Sequence, residues 1–280
     1  METRRFTIAQ IQQKVRADKM ENVEQLERAL DSVSGKAQVA MAGEMFCCPY
    51  ETKNFPVYAE EEGGPVWQRL SRAARDNGLY LVAGSMPERD GAGRIYNTSY
   101  VFDPQGRQIA KHRKIYLFDI DVEGGQSFRE SDTLTAGDQV TVFSTEFCTM
   151  GLCICFDFRF PELGKLMAKM GAEVILVPAA FNMTTGPAHW ELMHRQRAVE
   201  DQCFVAATSP ARDMAASYHA YGNSMLVSPW GETIYRLGGE EGIMINEVDL
   251  GQVDRIRREI PLLSSARDDV ICLEKRRKEK

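Results

Sequence analysis

The sequence predicts an α/β protein of four layers, an αββα sandwich in which two sheets pack face to face with helices outside each. Three observations lead there. Helical and strand-like segments alternate along most of the chain, and hairpins interrupt the alternation. The strand-like segments are short and rich in apolar and β-branched residues, as in Glu173 to Pro178 and Phe204 to Thr208. One hairpin pattern occurs twice. Tyr96-Asn97-Thr98-Ser99-Tyr100-Val101-Phe102-Asp103-Pro104-Gln105-Gly106 lies over Tyr221-Gly222-Asn223-Ser224-Met225-Leu226-Val227-Ser228-Pro229-Trp230-Gly231. Tyr, Ser, Pro and Gly coincide, and Ile109 then matches Ile234. Each copy follows a helix-then-strand unit, so the two halves read as similar layers of one domain.

The elements follow in order. Residues 6–11 form a strand, and Glu21 to Ser32 an amphipathic helix with Val23, Leu26 and Leu30 on one face. Ala37 to Ala42 is an apolar run that ends at Gly43-Glu44. Val66 to Asn77 is helical and closed by Gly78; the strand Leu79 to Ala83 follows at once. Tyr96 to Phe102 is a strand, Asp103-Pro104-Gln105-Gly106 a turn, and a return strand from Ile109 runs into His112-Arg113-Lys114. Loops rich in Gly, Asp and Ser fill much of 119–139. The apolar run Leu152 to Cys155 then breaks at Asp157 and Arg159. Pro161 opens the next helix, Glu162 to Met170, and Gly171 ends it, so a strand, an elbow at Cys155 and a helix succeed one another. Trp190 to Glu200 is a helix, 223–228 and 232–236 are strands joined by Pro229-Trp230-Gly231, and Ile243 to Val248 is a late strand. A single domain over 1–270 results, followed by a charged tail over 271–280.

Composition narrows the function. The chain of 280 residues has a formal net charge of -6, which speaks against nucleic acid or an anionic membrane as partner. No apolar run approaches the roughly 20 residues of a membrane-spanning helix, and the N-terminus lacks a signal peptide's apolar core. Seven cysteines without paired spacing imply reduced thiols and a cytoplasmic location. No Walker loop, no Gly-x-Gly-x-x-Gly and no Gly-x-Ser-x-Gly elbow is present.

Cys155 at the elbow is a candidate nucleophile, although most cysteines are inert packing. A thiol needs a proton acceptor, because at pH 7 it is only a few per cent thiolate. The four histidines, His112, His189, His194 and His219, carry no cysteine-protease or zinc signature and read as structural or peripheral. Two other residues end strands as Cys155 does. Glu44, beside Met45-Phe46, would be partly desolvated and suited to general-base work. Lys114 would favour a thiolate and could stabilise an oxyanion. Singly, each could be a surface charge.

Together these segments resemble the nitrilase superfamily of carbon–nitrogen hydrolases. The resemblance runs from Phe6 to about Asp249. Glu44 matches the first glutamate of the family's Glu–Lys–Cys triad, His112-Arg113-Lys114-Ile115 its lysine motif and Gly151 to Glu162 its cysteine elbow. Two departures stand out: Ala42-Gly43, where an apolar residue and proline are common, and Phe156, where tyrosine is common but only the backbone N–H is needed. Within the superfamily the ω-amidase branch is the most similar, through Lys114 to Asp121, Phe128-Arg129-Glu130-Ser131, Phe181 to Glu191 and Ser209-Pro210-Ala211-Arg212-Asp213. That resemblance implies hydrolysis of the terminal amide of 2-oxoglutaramate and 2-oxosuccinamate through a cysteine thioester, with no cofactor and no metal, by a homodimer. It implies Glu44, Lys114, Cys155 and Glu130 as catalytic residues. Tyr50, Phe156, Arg159, Phe181 and Thr185 would bind substrate, Arg159 through its far carboxylate unless a salt bridge to Asp157 or Glu162 occupies it. Alternatives are a deaminated glutathione amidase, an N-carbamoyl amidase, or a silent binding scaffold.

Overall fold

The computed structural model describes residues 4–267 and 269–271. In chain order the elements are β1 (Arg5–Gln12), α1 (Lys19–Val33), β2 (Val39–Ala42), α2 (Phe55–Tyr58), α3 (Pro65–Asn77), β3 (Tyr80–Val82), β4 (Met86–Arg89), β5 (Ile95–Phe102) and β6 (Gln108–Arg113). Next come β7 (Asp119–Asp121), β8 (Ser127–Arg129), β9 (Thr141–Ser144), β10 (Thr149–Leu152), α4 (Pro161–Lys169), β11 (Val174–Pro178) and α5 (Gly186–Asp201). The chain ends with β12 (Phe204–Thr208), β13 (Met225–Val227), β14 (Thr233–Arg236), β15 (Gly242–Asp249) and α6 (Gly251–Glu259).

Two large sheets result. One is ordered β15-β1-β2-β3-β5-β4, with β6 also on β5; the other is β14-β13-β12-β11-β10-β9. Side chains alternate across both. Phe6, Ile8, Val39 and Met41 of the first sheet meet Leu152, Leu176, Phe204 and Leu226 of the second in a core between the sheets. Their neighbours Ala9, Ile11, Ala40 and Ala42 face outward onto Leu26 and Leu30 of α1 and Leu70 of α3. Ile175, Val177 and Val205 face outward onto Leu163 and Met167 of α4 and Trp190 of α5. Strands covered on both faces explain the unbroken apolar runs. Each fully buried Leu, Ile, Val or Phe contributes about 1.5–3 kcal/mol. The protein is therefore the four-layer αββα sandwich that the sequence predicts.

The doubled pattern is a structural repeat. β1, β2 and β3 are parallel neighbours, with α1 and α3 between them in sequence and the β5–β6 hairpin after them. β10, β11 and β12 repeat this, with α4, α5 and the β13–β14 hairpin. Register shifts fall at equivalent places, between Val101 and Phe102 and between Leu226 and Val227. Both turns close through glycine in the left-handed region, Gly106 at φ 77° and Gly231 at φ 84°. Each turn docks on its own half's helix, since Ser71 of α3 donates to the Gly106 carbonyl and Arg195 of α5 to that of Gly231.

Other expectations shift. β10 stops at Leu152, and a 3-10 helix, Cys155–Arg159, stands between strand and α4. The apolar run Leu152 to Cys155 thus belongs only partly to a strand; Cys153 and Ile154 lie buried beyond the ladder. The 119–139 stretch holds the β7–β8 hairpin and a 3-10 turn, Glu130–Asp132. The strands β4 and β9 and the helix α6 had no counterpart in the pattern reading. The run Glu274 to Lys280 lies outside the described residues.

One buried carboxyl sets a pH dependence. Asp201 ends α5 against Gly164 of α4, where a Cβ would lie 2.3 Å from Asp201 Oδ2. Lys165 Nζ lies 3.2 Å from Oδ1, yet neither carboxyl oxygen has a hydrogen-bond partner. Burial pushes the Asp201 pKa up to about 7 against the pull of Lys165. In the unfolded chain it titrates near 4, so between about 4 and 7 the folded state holds more protons and stability falls as pH rises. Asp201→Asn is expected to stabilise the fold at pH 8 by about 1–3 kcal/mol relative to any change at pH 4. Urea unfolding at both pH values checks this; equal effects at both would contradict it.

Candidate active site

Three segments that leave strands meet at one end of the sandwich. Glu44 lies two residues past β2, Lys114 one residue past β6, and Cys155 three residues past β10. All three are buried, with Glu44 and Lys114 fully enclosed. Lys114 Nζ is 2.8 Å from Glu44 Oε1 and 2.9 Å from Glu130 Oε2. Two carboxylates thus share one ammonium. Each ion gives up several kcal/mol of hydration on burial, which only close geometry and further hydrogen bonds recover.

Those further bonds are present. Asn97 Nδ2 donates to Glu44 Oε1 at 2.8 Å, and Tyr50 OH donates to Glu130 Oε1 at 2.7 Å. The Phe118 backbone N–H donates to Glu130 Oε2 at 2.7 Å, and the Lys114 N–H to the Asn97 carbonyl at 2.8 Å. The second Glu44 oxygen, Oε2, has no such partner. The Cys155 thiol interacts with the same carboxylate, and the Ala180 backbone N–H favours the thiolate.

The electrostatics follow from this arrangement. Burial, together with Glu130, raises the Glu44 pKa, while Lys114 pulls it down. Burial and the Glu44 charge raise the Cys155 pKa, which Lys114 opposes. Burial alone would lower the pKa of Lys114, but Glu130 and Glu44 outweigh it and hold the ammonium charged. Moving a proton from Cys155 to Glu44 leaves the net charge of this cluster unchanged. It relocates one negative charge from carboxylate to sulfur, beside the same ammonium.

Local backbone makes the elbow. Cys155 sits at φ 47°, a left-handed conformation that costs a residue with a Cβ about 1–3 kcal/mol. Met45, directly after Glu44, is likewise at φ 52°. Gly43 has its own reason: a Cβ there would lie 2.6 Å from Pro210 N, so the Ser209-Pro210 segment closes over the Glu44 turn only because position 43 is glycine.

A cavity of about 690 Å³ reaches Glu44, Tyr50, Ala180 and Tyr218 from a mouth that includes Lys14, Arg16, Lys53 and Asp213. Of the other sequence-predicted residues, Tyr50 is the one among those lining this cavity, and the rest are placed in different ways. The Tyr50 hydroxyl is bound to the two glutamates rather than to Arg159. The Arg159 guanidinium lies 4.6 Å from the Phe181 ring centroid and 5.7 Å from that of Phe156. Its NH1 bonds His189 Nδ1 at 3.2 Å, its Nε is buried without a partner, and burial lowers its pKa. Asp157 is committed elsewhere, and among the described residues no carboxylate pairs with Arg159. The Thr185 hydroxyl donates to Asn182 Oδ1 at 3.1 Å, at the start of α5.

Sequence reasoning missed Asn97 and Tyr218. Asn97 is a polar residue in a strand buried over its whole length, which was a readable signal. Tyr218, in an irregular segment, packs its ring tilted at 31° and 4.6 Å from that of Tyr50 and donates to the Ala180 carbonyl; no pattern marked it. Of the two readings of His112, structural or peripheral, the first holds: it is fully buried behind the elbow. Among the described residues no His, Cys, Asp and Glu cluster could hold a metal ion.

Comparison with known proteins places the chain among carbon–nitrogen hydrolases. The family model described as carbon-nitrogen hydrolase matches residues 5–258. The chain is 46% identical over 274 residues to an omega-amidase, NIT2, of Xenopus tropicalis, covering 98% of this chain and 99% of that one. It is 45% identical over 270 residues to omega-amidase NIT2 of Homo sapiens, covering 96% and 98%. Among solved structures, Saccharomyces cerevisiae Nit3, a member of branch 10 of the nitrilase superfamily, superposes with a TM-score of 0.86 at 35% identity over 94% of this chain and 96% of that one. An amidase from Nesterenkonia sp. AN1, with the acetamide moiety of fluoroacetamide bound covalently at its active-site cysteine, has a TM-score of 0.79 at 25% identity, covering 95% of each chain.

Proposed function

The chain belongs to the carbon–nitrogen hydrolase family, and from that premise we propose that it is an ω-amidase acting on short dicarboxylate amides such as 2-oxoglutaramate and 2-oxosuccinamate. The observation that carries the amidase reading is the convergence of Cys155, Glu44 and Lys114 at one end of the sandwich, where Glu44 also lines the cavity. Glu44 accepts the Cys155 proton, and the thiolate attacks the amide carbon. Lys114 and the Phe156 backbone N–H hold the oxyanion. Glu44 returns its proton to the departing nitrogen, and ammonia leaves. Water then loses a proton to Glu44 as it attacks the thioester, and collapse frees the acid and the thiol. Glu130 and Tyr50 keep Lys114 and Glu44 in register.

The dicarboxylate preference rests on Arg159. A guanidinium half-enclosed by Phe181 and Phe156, with no carboxylate of its own, is suited to receive one from a ligand. Phe181 would wall the short carbon chain, and Thr185 stands at the same end. Arg159→Lys is expected to raise KM for 2-oxoglutaramate more than about tenfold, since lysine loses the two-pronged contact. An uncharged amide of similar size should change far less. Equal losses on both would make Arg159 structural and leave the substrate class to another amidase of the family.

A cytoplasmic homodimer is the setting proposed. The six described cysteines are free thiols, and no helix among the described residues is long and apolar enough to cross a membrane. Leu192, Val199 and Trp230 expose apolar surface on and beside α5, as does Leu262 after α6. The α4 side and the C-terminal segment are the proposed contacts. Light scattering should return about twice 31.6 kDa; a monomer mass at all working concentrations would contradict it.

A further inference from the structure

We propose that Asp157 and His112 form a buried clamp that sets the Cys155 thiol against the Lys114 ammonium, which makes them positioning residues for the reaction. The inference rests on the roles of Cys155 and Lys114 given above. Asp157 accepts from four donors. Ile115 N and Tyr116 N reach its Oδ1 at 2.9 and 2.8 Å; Ile154 N and His112 Nε2 each reach its Oδ2 at 2.9 Å. Three of these donors flank Lys114, from positions 112, 115 and 116. The fourth precedes Cys155. One carboxylate therefore joins the two segments that must meet at the substrate.

The same residue closes the elbow on itself. The Asp157 backbone N–H donates to the Ile154 carbonyl at 3.0 Å, while the Asp157 side chain takes the Ile154 N–H. This reciprocal pair spans Cys155 and retains its left-handed backbone. His112 Nδ1 lies 3.0 Å from Thr141 Oγ1. Because the Asp157 carboxylate only accepts, His112 Nε2 carries the hydrogen and donates to it, which leaves Nδ1 as the acceptor facing Thr141. Both His112 and Asp157 are fully buried, and neither lines the cavity. Their action reaches substrate only through the placement of Lys114 and Cys155.

A positional role has a kinetic signature that a merely structural one lacks. Misplacing a reacting group by about 1 Å costs about 100-fold in rate. Asp157→Asn puts an amide NH2 among four donors. It is expected to lower kcat about 100-fold while KM for 2-oxoglutaramate stays within about threefold. It should also move the pH profile of Cys155 alkylation by iodoacetamide to higher pH, because the thiol loses the nearby ammonium. His112→Gln, which offers an amide donor, should recover most of the kcat that His112→Leu loses. This histidine pair decides the matter even if Asp157→Asn does not fold. The clamp is overturned if kcat stays within about threefold of wild type in the Asn and Leu variants, if Gln and Leu lose equally, or if the alkylation profile does not move. Activity surviving in Cys155→Ala would instead refute the catalytic reading itself, so the two failures are separable.

Discussion

Cys155→Ala is expected to abolish amide hydrolysis, by a factor of about 10⁴ or more, and to leave the fold intact. Among the described residues, neither of the nearby thiols can replace it. Cys153, two residues away, is fully buried among Leu163 and Met167 on the α4 side of its sheet, and burial raises its pKa strongly. Cys48 lines the cavity, but burial raises its pKa well above an ordinary thiol's, and Lys114 is not among the charges acting on it. The structural cost is small, because Ala keeps the Cβ that already tolerates the left-handed conformation and little volume is lost. Unchanged circular dichroism and melting temperature with activity at the detection limit is the expected result. Residual turnover near wild type would remove Cys155 from the mechanism.

Lys114→Met should remove activity and weaken the fold together. Glu44 and Glu130 both lie within 2.9 Å of the ammonium. Methionine has a similar reach but leaves two enclosed carboxylates facing each other without a counter-charge. Breaking one partner of a buried ion pair costs about 3–5 kcal/mol, and here two carboxylates lose theirs. The loss should ease as pH falls, since protonated carboxyls no longer repel. Chemical denaturation at pH 7.5 and pH 5 reads both effects. A variant as stable as wild type at both values would mean that the cluster is hydrated and that the ammonium is not its counter-charge.

The parts of this site legible in the sequence share one property: each stands at or just past the end of a strand-like segment. Glu44 after the run that ends at Ala42-Gly43, Lys114 after the strand from Ile109, and Cys155 at the end of the run from Leu152 were readable on that ground, and the order of the three carried the family resemblance. The hairpin repeat was equally readable, and the structure adds a register shift at matching residues. What remained hidden depends on approach in space. Gly43 looked like a departure from the family pattern; it proves to be the space that Pro210 needs. His112 read as structural or peripheral, and its partner Asp157 lies 45 residues away in sequence, so only the folded chain shows which structural role it has. Tyr218 lies more than 60 residues from Cys155 in sequence, in a segment with no periodicity, so only the folded chain brings it beside Tyr50. The strand length before Cys155 was overread, since a buried run need not stay in a ladder once a 3-10 turn takes its hydrogen bonds.

The central claim is that acyl transfer passes through a covalent enzyme intermediate. Partitioning tests it most directly. The enzyme is given 2-oxoglutaramate or the corresponding ω-methyl ester in the presence of a fixed concentration of hydroxylamine, and hydroxamate and free acid are both measured. A shared Cys155 thioester has already lost its leaving group when water and hydroxylamine compete for it. The account therefore predicts the same hydroxamate-to-acid ratio from the amide and the ester, at whatever overall rates. A ratio that changes with the leaving group would mean direct attack on the bound substrate and would contradict the thioester.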